Sequence, residues 1–165
     1  MNIIKTHKTQ RGFTILELMI VIAIGGILAM FALPNFSIMM KNNCMVTKTN
    51  SLISSLQFAR SEAVKRNNSV SLNALNGADT SNEWGTGWNI VDNSTATTIR
   101  VVQQECLATT ANETTLDKTV ISYAGDGFIQ SNGTIEICDD RVGETGRRIT
   151  ISATGRPAVS EIACP

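Results

Sequence analysis

The sequence predicts an α+β protein: a long N-terminal helix whose first half spans a membrane and whose second half is amphipathic, packed on an antiparallel β-sandwich-like domain. Three observations predict it. From Phe13 to Leu33 the chain is apolar apart from Thr14 and one ionisable side chain, Glu17. From Met45 to Ala63 apolar residues recur at helical spacing. From Val70 onward the period shifts toward two, in short β-rich runs separated by turn signals.

The apolar stretch makes about 30 Å of helix at 1.5 Å rise per residue, the hydrocarbon thickness of a bilayer. Before it come Lys5, Lys8 and Arg11 with no acid, so the positive-inside tendency keeps the N-terminus cytoplasmic and translocates everything after Pro34. A secretory signal peptide would have a shorter apolar core and a small-x-small cleavage site. A plain signal anchor accounts for the length and the flanking charge but gives no reason for Glu17. A charge at the centre of a span costs about 2.5–3.5 kcal/mol on insertion scales, less near an end, and marks a function with a partner.

Pro34 falls within the helical pattern, where it removes one hydrogen bond and kinks the helix. Beyond it Met45, Leu52, Leu56, Ala59 and Ala63 form one stripe, with Lys48, Ser55, Arg60 and Glu62 off it. The stripe packs on the chain's own domain, and "RNNS" ends the helix at about Arg66. The runs "SVSLNAL", "GWNIVDN", "TIRVVQQE", "KTVISYAG", "GTIEICDD" and "RRITISATG" read as strands. Asn76-Gly77, Gly125-Asp126-Gly127 and Asn132-Gly133 read as turns, and "NSTATT" as a hairpin tip.

Composition excludes several functions. The 14 basic and 14 acidic residues cancel, so no surface-wide attraction to nucleic acid is built in. The single histidine, His7, precedes the apolar run, which leaves the rest of the chain without a His-based triad or His metal ligand, and a lone Ser or Cys nucleophile lacks its base. Asp139-Asp140 beside Arg141 reads as a solvated turn, since calcium needs six to eight oxygens. Neither enzyme activity, cofactor nor metal is expected. Cys44, Cys106, Cys138 and Cys164 contain no CxxC pair and permit three disulfide pairings. Joining Cys138 to Cys164 ties a free terminus to a central strand, closing a loop of about 26 residues worth roughly 3 kcal/mol. Cys44 with Cys106 then clips the sheet to the helix.

"RGFTILELMIVIAIGGILA" resembles the class III signal of type IV prepilins and type II secretion pseudopilins: a short basic leader ending in Gly12, then Phe13, then a glutamate fifth in the mature chain. The resemblance implies that a prepilin peptidase cuts after Gly12 and methylates the new amino group of Phe13. It also gives Glu17 a partner, the Phe13 ammonium of the neighbouring subunit, in a low-dielectric pair that fixes register between packed helices. The organisation that follows is a leader over 1–12, a transmembrane segment over 13–36, an amphipathic continuation over 37–66 and a periplasmic β-rich domain over 67–165.

Over essentially its whole length the chain is similar to the minor pilins and pseudopilins called FimT or FimU in type IV pili and GspH in type II secretion. The residues that carry this are "LISSLQFARSEAVKRN", "WGTGW" and "IEICDDRVGETGRRITISATGRP". "WGTGW" alone is weak and also reads as two tryptophans covering a sheet edge. The resemblance implies an inner-membrane subunit that joins an initiating or tip complex of a type IV pilus with other minor and major pilins. A minor pseudopilin of type II secretion is the near alternative.

A reading of another class is a DNA receptor at the pilus tip. Some FimT-like proteins take that role in natural transformation with a Gly-Arg-x-Arg pattern. Here the chain reads Gly155-Arg156-Pro157-Ala158, so the second arginine is missing, and Arg147 and Arg148 would have to supply the charge. The opposing expectation pairs these arginines with Asp139, Asp140 and Glu144. In the strand "RRITISA", Ile149, Ile151 and Ala153 are expected to face inward and Arg148 outward, with Arg156 nearby.

Overall fold

The computed structural model describes residues 12–79, 81–104, 106, 109–114, 119–130 and 133–165. The leader charges Lys5, Lys8 and Arg11, His7, and the Asn132 half of the Asn132-Gly133 turn lie outside the described residues. The chain forms two compact units, Met1–Met39 and Met40–Pro165. Helix α1, Ile15–Arg66, contributes to both and passes through Pro34.

In the first unit every described side chain over 12–32 is exposed, and they are apolar nearly all round the helix. In water such a surface has nothing to gain; by length and composition the helix is able to cross a membrane.

The second unit takes the rest of α1 and eight strands: β1 Val70–Ala74, β2 Gly87–Asp92, β3 Thr97–Gln103, β4 Thr109–Glu113, β5 Val120–Tyr123, β6 Gly133–Asp139, β7 Thr145–Ile151 and β8 Pro157–Ala163. They form two antiparallel sheets, ordered β3-β2-β1-β5 and β4-β6-β7-β8. The helix ends where predicted. Asn67 adopts a left-handed φ of 48°, the Asn68 N–H reaches the Ala63 carbonyl at 3.1 Å and the Asn67 N–H reaches that of Val64 at 3.2 Å, which together make a Schellman cap. Six predicted runs overlap strands, and the tip of "NSTATT" is the turn between β2 and β3.

One core joins the helix to both sheets: Leu52, Leu56, Ala59 and Ala63 from α1, Leu72, Ile90, Ile121 and Tyr123 from one sheet, Ile135, Ile137, Ile149 and Ile151 from the other. Because two sheets cover it, α1 buries a wider band than a single stripe. Lys48, Ser55 and Glu62, expected off the stripe, are buried, and Arg60 is half-buried. Ser55 returns its hydroxyl to the Ser51 carbonyl at 2.8 Å, and Glu62 accepts from Arg66 Nε at 2.8 Å. Among the described residues no carboxylate pairs with Lys48 within 4.0 Å; its ammonium donates to the carbonyls of Gly85 at 3.0 Å and Thr109 at 3.3 Å and to the Thr109 hydroxyl at 2.9 Å.

That contact explains "WGTGW". Trp84 and Trp88 do not cover a sheet edge: both are fully buried in the core. Between them Gly85 presents its carbonyl to Lys48, and Gly87 holds a φ of 123° that only glycine adopts readily, pressed against the Val102 carbonyl of β3.

Candidate functional site

At the start of α1, Gly12 and Phe13 lie ahead of the first helical turn. Thr14 stands at the N-cap and Glu17 at the third helical position. The Glu17 N–H donates to the Thr14 hydroxyl at 3.2 Å, while Glu17 Oε2 accepts from the Thr14 N–H at 3.1 Å and the Thr14 hydroxyl at 3.2 Å. This reciprocal pair is a capping box. Its Thr-x-x-Glu signature stood in the sequence and was missed because Glu17 was read only against the membrane. Within one chain, then, the carboxylate is satisfied by its own helix terminus, where the macrodipole also favours negative charge. Glu17 has two uses open to it, capping its own helix or pairing with a neighbour's ammonium.

Both cysteine pairs are bonded in the structure. Cys44 on α1 joins Cys106 at a Cα–Cα distance of 5.9 Å, and Cys138 on β6 joins Cys164 just past β8 at 5.7 Å. The second bond lies against β7. A Cβ on Gly146 would stand 2.5 Å from the Cys164 Sγ and 2.7 Å from the Cys138 Sγ, so glycine at this place in β7 makes room for the bond. We expect Gly146→Ala to lower stability by about 1–3 kcal/mol, the usual range for an overpacked site. Chemical unfolding with peptide mapping of Cys138–Cys164 checks it. A wild-type midpoint with the bond fully formed would contradict the role of Gly146.

The three arginines do not share one face. Arg147 and Arg148 are consecutive on β7 and so point to opposite faces of the sheet. Arg147 is on the face of the buried Ile149 and Ile151, next to Met45 and Val46 of α1. Arg148 is on the other face. Each is paired across the strands: Arg147 with Glu161 of β8, and Arg148 with Glu136 of β6 at 2.7 Å through its Nε. These partners replace the expected Asp139, Asp140 and Glu144. The strand period explains why: Glu161 and Glu136 are the residues registered opposite Arg147 and Arg148. Ala153, expected to face inward, is exposed, because β7 ends at Ile151 and residues 152–156 turn into β8. Arg156 sits at that turn, five register steps from Arg147, roughly 16 Å along the hairpin.

The Asp139-Asp140 turn is also divided. Asp139 is buried against Arg141, whose Nε donates to it at 2.8 Å, and this bond holds the guanidinium pKa above its ordinary value. Asp140 is half-exposed and paired with Lys41 of α1 at 2.5 Å, which lowers its carboxyl pKa. Both carboxylates are thus committed to cations of the chain.

A family model described as Type II transport protein GspH matches residues 48–155, and one described as Prokaryotic N-terminal methylation motif matches residues 7–33. Two crystal structures of the type IV minor pilin FimU of Pseudomonas aeruginosa strain PAO1 are similar in fold. One is 25% identical with a TM-score of 0.63, covering 74% of this chain and 92% of that one. The other is 27% identical with a TM-score of 0.59, covering 69% and 90%. No curated protein matches the chain. The family and the FimU structures are those of structural, non-enzymatic proteins. The methylation motif implies processing by a prepilin peptidase and association with other pilins. With the GspH match covering well over half of its length and the motif at its head, the chain belongs to the GspH family, as a minor pilin or pseudopilin of the GspH and FimU kind.

Proposed function

We propose that this chain is a minor pilin of a type IV pilus that enters the initiating or tip complex. Its first unit is anchored in the inner membrane, and its β-rich unit stands in the periplasm. Gly12 and Phe13 are the processing site, and Glu17 pairs with the Phe13 ammonium of an adjacent subunit once helices pack. The observation that carries the pilus over the secretion pseudopilus is the likeness to the type IV minor pilin FimU over nearly all of the crystallised chain. The two disulfides support an oxidising compartment for the second unit.

The DNA-receptor reading has less behind it. Arg147 and Arg148 are on opposite faces and each is neutralised by a glutamate, which leaves Arg156 as the member of the trio without a carboxylate among the described residues. Phosphate neutralisation sets affinity for DNA, so one arginine supports little.

Mass spectrometry of the membrane-derived protein is expected to find Phe13 as the N-terminus with one added methyl group. Purification through a C-terminal tag is expected to bring down a type IV major pilin. An intact Met1, or a cut beyond Ala32, would remove the pilin reading; recovery of a secretion pseudopilin alone would move the chain to the other machine.

A further inference from the structure

Between the last turns of α1 and the β7–β8 turn lies an open groove of about 660 Å³, lined by Arg60, Ser61, Val64, Lys65, Arg156 and Pro157 among others. Val64, Pro157 and the stems of the long side chains make it apolar, while the charged heads make it cationic. Arg60 donates Nε to the Gly127 carbonyl at 2.9 Å, which holds that side chain against the loop before β6. Lys65 is largely exposed, 3.4 Å from Glu62, and Arg156 has no carboxylate within 4.0 Å among the described residues. The backbone under Arg156 is fixed. Gly155 holds a φ of 76°, its missing Cβ would meet the Gly127 carbonyl at 2.7 Å, and its own carbonyl accepts from the Tyr123 hydroxyl at 3.3 Å.

The same unit carries the converse feature. Val142 is 83% exposed, more than any other large apolar side chain described outside α1 save Phe13 before it; it follows Arg141, which is paired with Asp139, and stands two residues from Asp140, which is paired with Lys41, and two from exposed Glu144, which has no cation within 4.0 Å among the described residues. This tip is tied down by Lys41 to Asp140 at 2.5 Å and by Arg141 to Asn42 at 2.6 Å. Tip and groove lie at opposite ends of the β7–β8 hairpin. Seven residues of β7 separate them, about 23 Å.

We propose that the groove receives a loop tip with an exposed aliphatic residue beside one free carboxylate, presented by an adjacent subunit in the way this chain presents Val142 and Glu144. The proposal rests on the reading of the chain as a filament subunit. A tip left with one uncompensated carboxylate, Glu144, and a groove with one uncompensated cation, Arg156, at opposite ends give a head-to-tail contact, and such contacts propagate as open helical arrays instead of closing into pairs. Duplex DNA fits the groove less well. The groove is short and concave, no aromatic ring lines it, and the chain after residue 40 carries 11 basic against 13 acidic residues, or −2, which repels a polyanion at long range. A loop in a groove of this size is far below a standard interface, so the contact is weak alone and gains from the effective concentration that helix packing provides.

The test uses the full processed chain in detergent micelles and an acetylated, amidated peptide of residues 140–144, Asp-Arg-Val-Gly-Glu, followed by NMR. Binding is expected with a dissociation constant of about 1 mM that weakens as salt is raised. Arg156→Glu should weaken it at least tenfold. Replacing the peptide valine by serine should weaken it several-fold, and Arg148→Gln on the far sheet face should leave it unchanged. No binding at about 10 mM peptide, or equal binding to Arg156→Glu, overturns the proposal. Tighter binding of a 12-base-pair duplex, lost in Arg156→Glu, would overturn it in favour of nucleic acid. Because no filament is needed, failure here is distinguishable from failure of the pilin reading, which the N-terminal mass tests.

Discussion

In cells, Glu17→Val is expected to yield a protein that inserts, loses its leader and reaches wild-type abundance in the membrane, yet falls at least tenfold in filaments. Insertion survives because the substitution makes the span more apolar and removes a charge that costs up to a few kcal/mol in hydrocarbon. Assembly fails because the Phe13 ammonium of the neighbour then lies in low dielectric without a counter-charge, and a hydrogen bond to a charged group is worth roughly 1.5–3 kcal/mol.

The capping box makes a sharper version of this experiment necessary. Valine removes two things together: the negative charge, and the acceptor that takes the Thr14 N–H and hydroxyl. Glu17→Gln separates them, because glutamine at the third helical position completes a capping box as well as glutamate does. If intersubunit charge pairing is the role of Glu17, Glu17→Gln is as defective in filaments as Glu17→Val. Quantifying each variant in sheared filaments against its membrane level decides the matter. Normal incorporation of Glu17→Gln would assign the residue to helix capping and sink the pairing role.

Much of the fold was legible because its signals are local. The span showed as uninterrupted hydrocarbon from Phe13 to Leu33, the helix end as Asn67-Asn68, and the central strands as alternating β-branched runs. Two edge strands were not legible. The sequence of β4, Thr109–Glu113, carries one aliphatic side chain, Ala111, and β8 opens on Pro157 with largely exposed residues. An edge strand buries little, so its composition is free to look like a loop, and proline is tolerated there because one side of the ladder is open. The arginines were misplaced for a different reason. Their proximity in sequence suggested one patch, but a period of two places Arg147 and Arg148 on opposite faces, and their partners are set by strand register, which no single strand reveals. Lys48 was the least legible. A lysine off an apolar stripe reads as solvated; here the turn bearing Gly85 and the strand bearing Thr109 close over it and supply oxygens in place of water.

That burial has a measurable consequence. Removal from water pushes the Lys48 pKa down from 10.5 to about 8. Between those values the unfolded chain holds a proton that the folded chain has released, so stability rises with pH across the window. Below pH 8 both states are protonated, and the folded state carries the full cost of a charge out of water, about 3 kcal/mol at 1.36 kcal/mol per pKa unit. Tyr123 acts in the opposite direction at higher pH. Burial raises its pKa from 10.0 to about 12, so the unfolded chain ionises first and stability falls as pH rises between those values. Guanidinium unfolding of the full chain in detergent, followed by fluorescence of the buried Trp84 and Trp88, should therefore show stability climbing from pH 8 to a maximum near pH 10 and declining beyond it. All four cysteines are bonded, so no thiolate is present to reshuffle them in alkali. Lys48→Met should remove the climb and leave the decline. Its stability at pH 7 is a poorer readout, since losing the buried charge is offset by stranding the Gly85 and Thr109 carbonyls at about 1–3 kcal/mol each. A climb of equal size in Lys48→Met would show that another group titrates in this window and that Lys48 keeps its ordinary pKa.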